Sequence, residues 1–390
     1  MKIYIFIPIF SILLFACSNS IQIDDAKYNI TYDDNHHVDV KELVSDLEII
    51  ELENTKEALI PVINSISVHG DKIFCFSCEQ NGYIKVFNLE GKFLYNISHQ
   101  GSANSEWIRL KSMYINEEEN SIILTDAESK KLLIYTLDDK FVKSIKLGEF
   151  DYHQITYHDG YYYSLTHTFM TGGKPTKDTD HKINIYDNYG KLKSQTVPLK
   201  LNDAKMMEMN SQHFYMGQER CLLCPTLDNT AYVLEKGKCL PYITYNYTGK
   251  IPLYTEEDIE QAIKNNEWMA GKEKTYYGGK IIESSKLIIR RMGDENAIDV
   301  IFDKQEDKVI TTSFDSPMLM QDHLSTYFLY PFPQCYSNSY FYGNIQYELL
   351  ALPSQYTDGF IPICIKEIAE RVKSGHINNI IVRYKLKGAY

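Results

Sequence analysis

The chain has 390 residues, of which 40 are Lys or Arg and 52 Asp or Glu, for a formal charge of −12. That length excludes one small domain and fits two or three compact domains or a single repeat architecture. The acidic balance speaks against wrapping a phosphate backbone, which needs clustered Lys and Arg. Tyrosine is the compositional outlier: 31 Tyr and 17 Phe against 2 Trp favour β-structure over helical bundles.

Behind Met1 and Lys2 runs an almost unbroken apolar stretch, Ile3 to Phe15. At about 1.5 Å per residue it is too short for a hydrocarbon core of about 30 Å, and it reads as a signal-peptide core. It ends in Leu14-Phe15-Ala16-Cys17, which resembles the lipobox of bacterial lipoproteins. The small residue lets a peptidase approach, and the Cys17 thiol is the acceptor for lipid. The expectation is a signal peptide over residues 1–16, removed to leave 374 residues with a charge of −13, tethered to a membrane through acylated Cys17. Residues 17–37 read as a flexible acidic tether. Its start, Ser18 to Asp25, is similar to the acidic signals that send lipoproteins of the Bacteroidota to the cell surface. An outer-membrane position is expected, on the cell surface or on the periplasmic face.

From residue 38 onward the dominant signal is a repeat. Residues 71–97 and 120–145 share one plan: strand, polar turn, strand, tight turn ending in Lys, strand. The tight turn recurs as Gly91-Lys92-Phe93, Asp139-Lys140-Phe141, Gly190-Lys191-Leu192 and Gly237-Lys238-Cys239, at spacings of 48, 51 and 47. Gly or Asp supplies the positive φ that such hairpins need. A fifth copy, Asp303 to Val309, comes after an insertion. A sixth, less regular unit is read from Asn338–Tyr342 and Ile345–Leu352. A period near 50 filled with short strands fits four-stranded propeller blades better than a solenoid.

Two segments read as helices. Thr255-Glu256-Glu257-Asp258 opens like a capping box, with Ile259, Ala262 and Ile263 on one face, and fills the gap between the fourth and fifth units. Ile363–Lys373 carries Ile365, Ile368, Ala369 and Val372 at helical spacing. Isolated strands stand at both ends, Leu47–Leu52 and Asn378–Leu386, and pairing them in one blade removes the open edge. The prediction is an all-β fold, a six-bladed β-propeller closed by its N- and C-terminal strands over residues 38–390, with a helical insertion between blades four and five and a short helix near the C-terminus.

These features together resemble the six-bladed β-propeller lipoproteins abundant in Bacteroidota, distantly similar to NHL-type propellers. The match rests on the lipobox, the opening strand Leu47–Leu52, the blade signature Ile84-Lys85-Val86-Phe87-Asn88, and the ending Asn379 to Lys387. Where that family often has a Gly-Pro-Gly-Glu-Phe-like loop between its first two blades, this chain has Gly101-Ser102-Ala103-Asn104-Ser105-Glu106-Trp107. The resemblance implies a fold and an envelope location and no established activity.

Candidate chemistry is thin. Cys75-Phe-Ser-Cys78 and Cys221-Leu-Leu-Cys224 have a metal or redox spacing, but both fall in predicted strands. Three strand steps of about 3.3 Å put the Cα atoms roughly 10 Å apart on opposite faces, too far for a disulfide within either pair. His153, His158 and His167 cluster around the third unit's first strand, as contributors to a metal in the channel or as surface histidines. Tyr161-Tyr162-Tyr163, Tyr276-Tyr277 and Tyr327/Tyr330 could stack on sugars, yet alternate residues of a strand face opposite sides, which favours packing between blades. The polar loop Thr171–Asp180 is a binding candidate by position. Asp138-Asp139 and Asp33-Asp34 lack calcium-loop spacing. No catalytic motif, cofactor site or metal set is assigned.

The function these readings support is a lipid-anchored binding module for a protein, peptide or glycan partner, without nucleic acid. The alternative is a lactonase-like hydrolase or lyase with a metal in the central channel; propellers host both kinds.

Overall fold

The structure, a computed structural model, describes residues 26–387 apart from 34–36, 39, 147–151, 167–180, 199–213, 217–219, 226, 256, 259–260, 262–273, 294–297, 314–331 and 346–377. The chain enters through β1 (Tyr28–Tyr32), α1 (Val40–Leu43) and β2 (Val44–Glu51). The first blade is β3 (Ser65–His69), β4 (Lys72–Ser77), β5 (Tyr83–Asn88) and β6 (Phe93–Ile97). The second is β7 (Leu110–Asn116), β8 (Ser121–Asp126), β9 (Lys131–Thr136) and β10 (Phe141–Ile145). The third is β11 (Tyr152–His158), β12 (Tyr161–Thr166), β13 (His181–Asp187) and β14 (Leu192–Pro198). The fourth is β15 (Phe214–Met216), β16 (Cys221–Leu223), β17 (Thr230–Glu235) and β18 (Lys238–Tyr247). The fifth is β19 (Lys280–Glu283), β20 (Leu287–Met292), β21 (Ile298–Asp303) and β22 (Lys308–Ser313). The sixth takes β23 (Cys335–Ser337), β24 (Tyr340–Ile345) and β25 (Ile380–Leu386) and completes itself with β2.

The first strands of the blades touch in ring order: β3 meets β7, β7 meets β11, and so on to β23, which returns to β3. This is a closed six-bladed propeller. Its seam is the antiparallel pair β2–β25, with Glu51 opposite Ile380 and Val44 opposite Leu386.

Both faces of the inner strands are covered, so these strands run hydrophobic without a polar side, while outer strands such as β10 keep exposed residues. In β8 each residue from Ser121 to Asp126 is buried. Ile122 and Leu124 pack on Phe74, Phe76 and Val86 of the first blade, while Ile123 faces Tyr157 and Tyr162 of the third. Six apolar clusters among the described residues each fill one junction between neighbouring blades. A fully buried Ile or Leu contributes about 1.5–3 kcal/mol, so the junctions, not the strands alone, hold the ring. Gly91 lies in one of them with φ 81°; a Cβ there would run into the Glu51 carbonyl oxygen, and Glu53 N donates to its own carbonyl at 2.8 Å. The turn is thus a docking point between the sixth and first blades.

Several expectations change. Tyr28–Tyr32, inside the segment read as a flexible tether, is a strand that pairs in parallel with β18 and makes the fourth blade five-stranded. Beyond it His37 bridges Thr311 of β22, and Val38 N donates to the Thr311 carbonyl at 2.9 Å. The entering chain therefore laps the outer edges of blades four, five and six in turn. In the sixth unit the strands are Cys335–Ser337 and Tyr340–Ile345, so the turn is Asn338-Ser339, not a gap after Tyr342. Helical backbone occurs at Glu257, Asp258 and Gln261, behind a capping box in which Thr255 N donates to Asp258 Oδ2 at 2.8 Å and Asp258 N to Thr255 Oγ1 at 3.2 Å. The rest of that insertion and the helix read at Ile363–Lys373 lie outside the described residues.

Candidate functional site

Strand alternation sorts the connections. Turns from each first strand to the second are short: Gly70-Asp71, residues 117–120, Asp159-Gly160, 284–286 and Asn338-Ser339. They share one mouth of the ring, as their contacts show: Asn338 Nδ2 donates to the Gly70 carbonyl at 3.0 Å, and His69 Nε2 lies 3.2 Å from Asn120 Oδ1. Connections between blades, and between second and third strands, leave from the other mouth. They span up to 34 residues, between Ile345 and Ile380, and 32 between Tyr247 and Lys280.

The best-defined part of that loop mouth is residues 98–109. Trp107 is wholly buried and donates through Nε1 to the Gly82 carbonyl at 3.1 Å. Gly101 N donates to the Trp107 carbonyl at 2.9 Å, and Trp107 N to the His99 carbonyl at 3.0 Å. Glu106 Oε2 accepts from Ala103 N at 2.9 Å and sits where a Gly101 Cβ would be. Lys131 Nζ donates to the Ala103 carbonyl at 3.0 Å, and the Tyr135 hydroxyl to that of Ser105. Gly101, Glu106 and Trp107 thus build a plug joining the first two blades. Buried Asp126 closes it by accepting from Ile108 N at 3.0 Å and Arg109 N at 3.1 Å. Exposed Ile108 beside the plug, and exposed Leu59 in the connection that leads into the first blade, present apolar surface.

At the turn mouth His158 ends β11 between two carboxylates. Its Nδ1 is 3.6 Å from Glu118 Oε1, in the turn of the second blade, and its Nε2 is 3.8 Å from Asp159 Oδ2. Lys236 N donates to Asp159 Oδ2 at 3.2 Å and fixes that carboxylate. The Tyr157 hydroxyl donates to Glu119 Oε1 at 3.2 Å; burial, then the Glu119 charge, pushes that phenol up to about 12.

Of the other sequence candidates, His153 lies toward the opposite end of β11, roughly 16 Å along the strand from His158. His167, the loop Thr171–Asp180, Tyr327, Tyr330 and Cys17 lie outside the described residues. The cysteine pairs are not joined: Cys75, Cys78, Cys221 and Cys224 are all free thiols. Cys75 is buried, whereas Cys78 has left the strand and is exposed; Cys221 packs with the third-blade junction and Cys224 with the fifth. Burial pushes the Cys221 thiol up to about 12 and that of Cys224 to about 11, which leaves them protonated and inert. Tyr162 and Tyr163 are buried on opposite faces, each in a different blade junction. They are packing residues.

Sequence reasoning passed over the densest polar sites. Arg290 on β20 is fully buried between blades four and five. Its Nε donates to the Gly278 carbonyl at 3.1 Å and its Nη2 to that of Asp228 at 2.6 Å, while its guanidinium lies 4.6 Å from the Tyr245 ring centre and 5.6 Å from that of Tyr277. On the turn side of the same junction, buried Glu283 accepts from the Tyr242 hydroxyl and from Lys304 Nζ, both at 2.8 Å. Nothing in a lone Arg or Glu within a β-strand announces burial; only the blade junction does.

Solved structures share this architecture. A Bacteroides fragilis protein described as exported superposes with a TM-score of 0.70 at 15% identity, covering 92% of this chain and 99% of its own. A DUF4221 family member from Bacteroides vulgatus does so with a TM-score of 0.53 at 11% identity, over 88% and 97%. Identities this low establish the shared fold alone. No curated protein matches the chain. The family model that does match covers residues 19–355, from ahead of β1 through five blades and into the sixth, so the chain belongs to the family described as a domain of unknown function, DUF4934.

Proposed function

We propose that the protein is a lipid-anchored propeller of the outer membrane that binds a protein, peptide or glycan through its loop mouth. The observation that carries this reading is the asymmetry of the ring: one mouth is closed by short turns, and every long connection leaves from the other. Propellers and other rigid β scaffolds bind through such loops, because loops vary while the scaffold positions them. Support for the location comes from Ile3 to Phe15 and the Leu14-Phe15-Ala16-Cys17 motif, from the exported description of the B. fragilis structural neighbour, and from the absence, among the described residues, of any helix long and apolar enough to cross a membrane. The formal charge of −12 disfavours a nucleic-acid partner.

The test has two arms. Palmitate labelling and membrane fractionation of wild type and Cys17→Ser should show lipid and membrane retention only in the former. A photo-crosslinking residue placed at Ile108 on the loop mouth should capture a discrete partner in the envelope, and one at Asp307 in a tight turn should not. Capture from Asp307 alone would overturn the choice of face.

A further inference from the structure

We infer that Glu118, His158 and Asp159 form a binding site for a borderline first-row divalent cation, of the Zn²⁺ or Mn²⁺ type, that clips the second blade to the third at the turn mouth. One ligand atom from each residue lies within 4.8 Å of the others. Both imidazole nitrogens stand beyond hydrogen-bond length from their carboxylates, at 3.6 and 3.8 Å. A carboxylate oxygen and an imidazole nitrogen held about 2.0–2.2 Å from one ion are themselves roughly 3–4 Å apart, so each gap taken singly has the length of a shared-ion contact.

A second, electrostatic observation points the same way. Among the described residues His158 is the basic side chain within ion-pair distance of Glu118 and Asp159, and no Lys or Arg side chain pairs with either. Two carboxylates thus face one imidazole with no fixed cation between them. Glu117 and Glu119 flank Glu118 in the sequence and add to the negative field.

The site is also prepared and reachable. The side chain of His158 is 12% exposed, set by the end of β11; that of Asp159 is 31% exposed and held by Lys236 N, and that of Glu118 is 52% exposed and able to swing inward. Nδ1 faces one carboxylate and Nε2 the other. With the cation on Nε2 beside Asp159, the more exposed Glu118 side chain turns in to supply the third ligand atom. One imidazole with two carboxylates favours Zn²⁺ or Mn²⁺ over Ca²⁺, which prefers six to eight oxygens. Three protein ligands leave the outer positions to water. The function is a clip: a cation here adds a bond between turns that the Tyr157–Glu119 hydrogen bond already brings together. This inference stands apart from the partner-binding reading, since it concerns the opposite mouth.

The test is calorimetric titration of the full chain, purified in detergent without a histidine tag and stripped by chelator, with ZnCl₂, MnCl₂ and CaCl₂. One equivalent of Zn²⁺ or Mn²⁺ should bind and raise the melting temperature, and Ca²⁺ should not compete at equal concentration. His158→Ala should weaken binding by about tenfold or more, as should Glu118→Gln. Glu118 is exposed, so its variant decides the matter if His158→Ala fails to fold. No uptake of either metal by wild type, or uptake unchanged in Glu118→Gln and His158→Ala, overturns the site.

Discussion

Asn378, at the threshold of β25, accepts a hydrogen bond of 3.1 Å from the main-chain N–H of Ile60, 318 positions earlier in the chain. The same side chain donates to the carbonyls of Ala58 at 2.9 Å and Glu53 at 3.1 Å. Its neighbour Asn379 donates to the Pro61 carbonyl at 3.0 Å. Two buried amides thereby satisfy the segment that leads from the closing strand into the first blade. Replacing Asn378 with Ala strands two buried N–H groups, of Ile60 and Asn379, and two carbonyls, and the expected cost is about 3 kcal/mol. A urea melt of Asn378→Ala beside wild type checks it; a loss below about 1 kcal/mol would show the seam to be held elsewhere.

The junction between blades four and five depends on Arg290. Arg290→Met keeps an unbranched stem only as far as the Nε position, leaves the Asp228 carbonyl without its Arg290 donor and the Gly278 carbonyl with the Cys224 thiol at 3.7 Å, and removes two cation–π contacts. The expected loss is about 3 kcal/mol or more. Hydrogen exchange should localise it to β18 and β20, with the amides of β8 in the second blade protected as before.

Thiol chemistry gives a sharp contrast within four residues. Cys78 is exposed, whereas Cys75 is buried and its thiol lifted far above the ordinary range by burial. At pH 7.5 maleimide should label Cys78 in native protein and reach Cys75, Cys221 and Cys224 only after denaturant is added. Mass spectrometry of digests reads the outcome. Rapid native labelling of Cys221 would contradict the packing described for the fourth blade.

The capping box at Thr255 predicts a response to acid. Lys274 Nζ lies 2.5 Å from Asp258 Oδ1, and that contact, with the bonds from Thr255, lowers the Asp258 carboxyl to about 2. A carboxylate depressed in the folded state stabilises above its unfolded pKa, and the contribution is lost as pH falls toward the folded value. The protection factors of the Thr255 and Asp258 amides, the exchange rate taken against the intrinsic rate at each pH, should therefore fall between about pH 4 and 2. Asp258→Asn should abolish that step, and Thr255→Ala should weaken the helix start by about 1 kcal/mol at neutral pH.

The repeat was readable because its marks are local. Gly91, Asp139, Gly190, Gly237 and Asp307 all have positive φ, a demand that only a few residue types meet, so the turns print themselves on the chain. The closing pair was readable because strands without partners of their own stood at both ends. β1 was not: it joins β18 in parallel, with no hairpin turn to announce it, and its five residues sit in a polar stretch. Glu118 and His158 are 40 positions apart and meet only because one blade follows another. Trp107 looked like a loop aromatic and proves to be the plug between two blades.

The lap of the entering chain over blades four, five and six has a consequence for the order of assembly. β2 leaves the ribosome first among the strands of its blade, yet its partner β25 is the last strand made, and Val44 waits for Leu386. Such distant pairing is slow, because the cost of closing the loop falls due before the contact is formed. β2 therefore stays without its partner until synthesis ends, and the ring stays open at the sixth blade until then. Closure is thereby the last step of folding, and no shorter fragment of the chain can complete it.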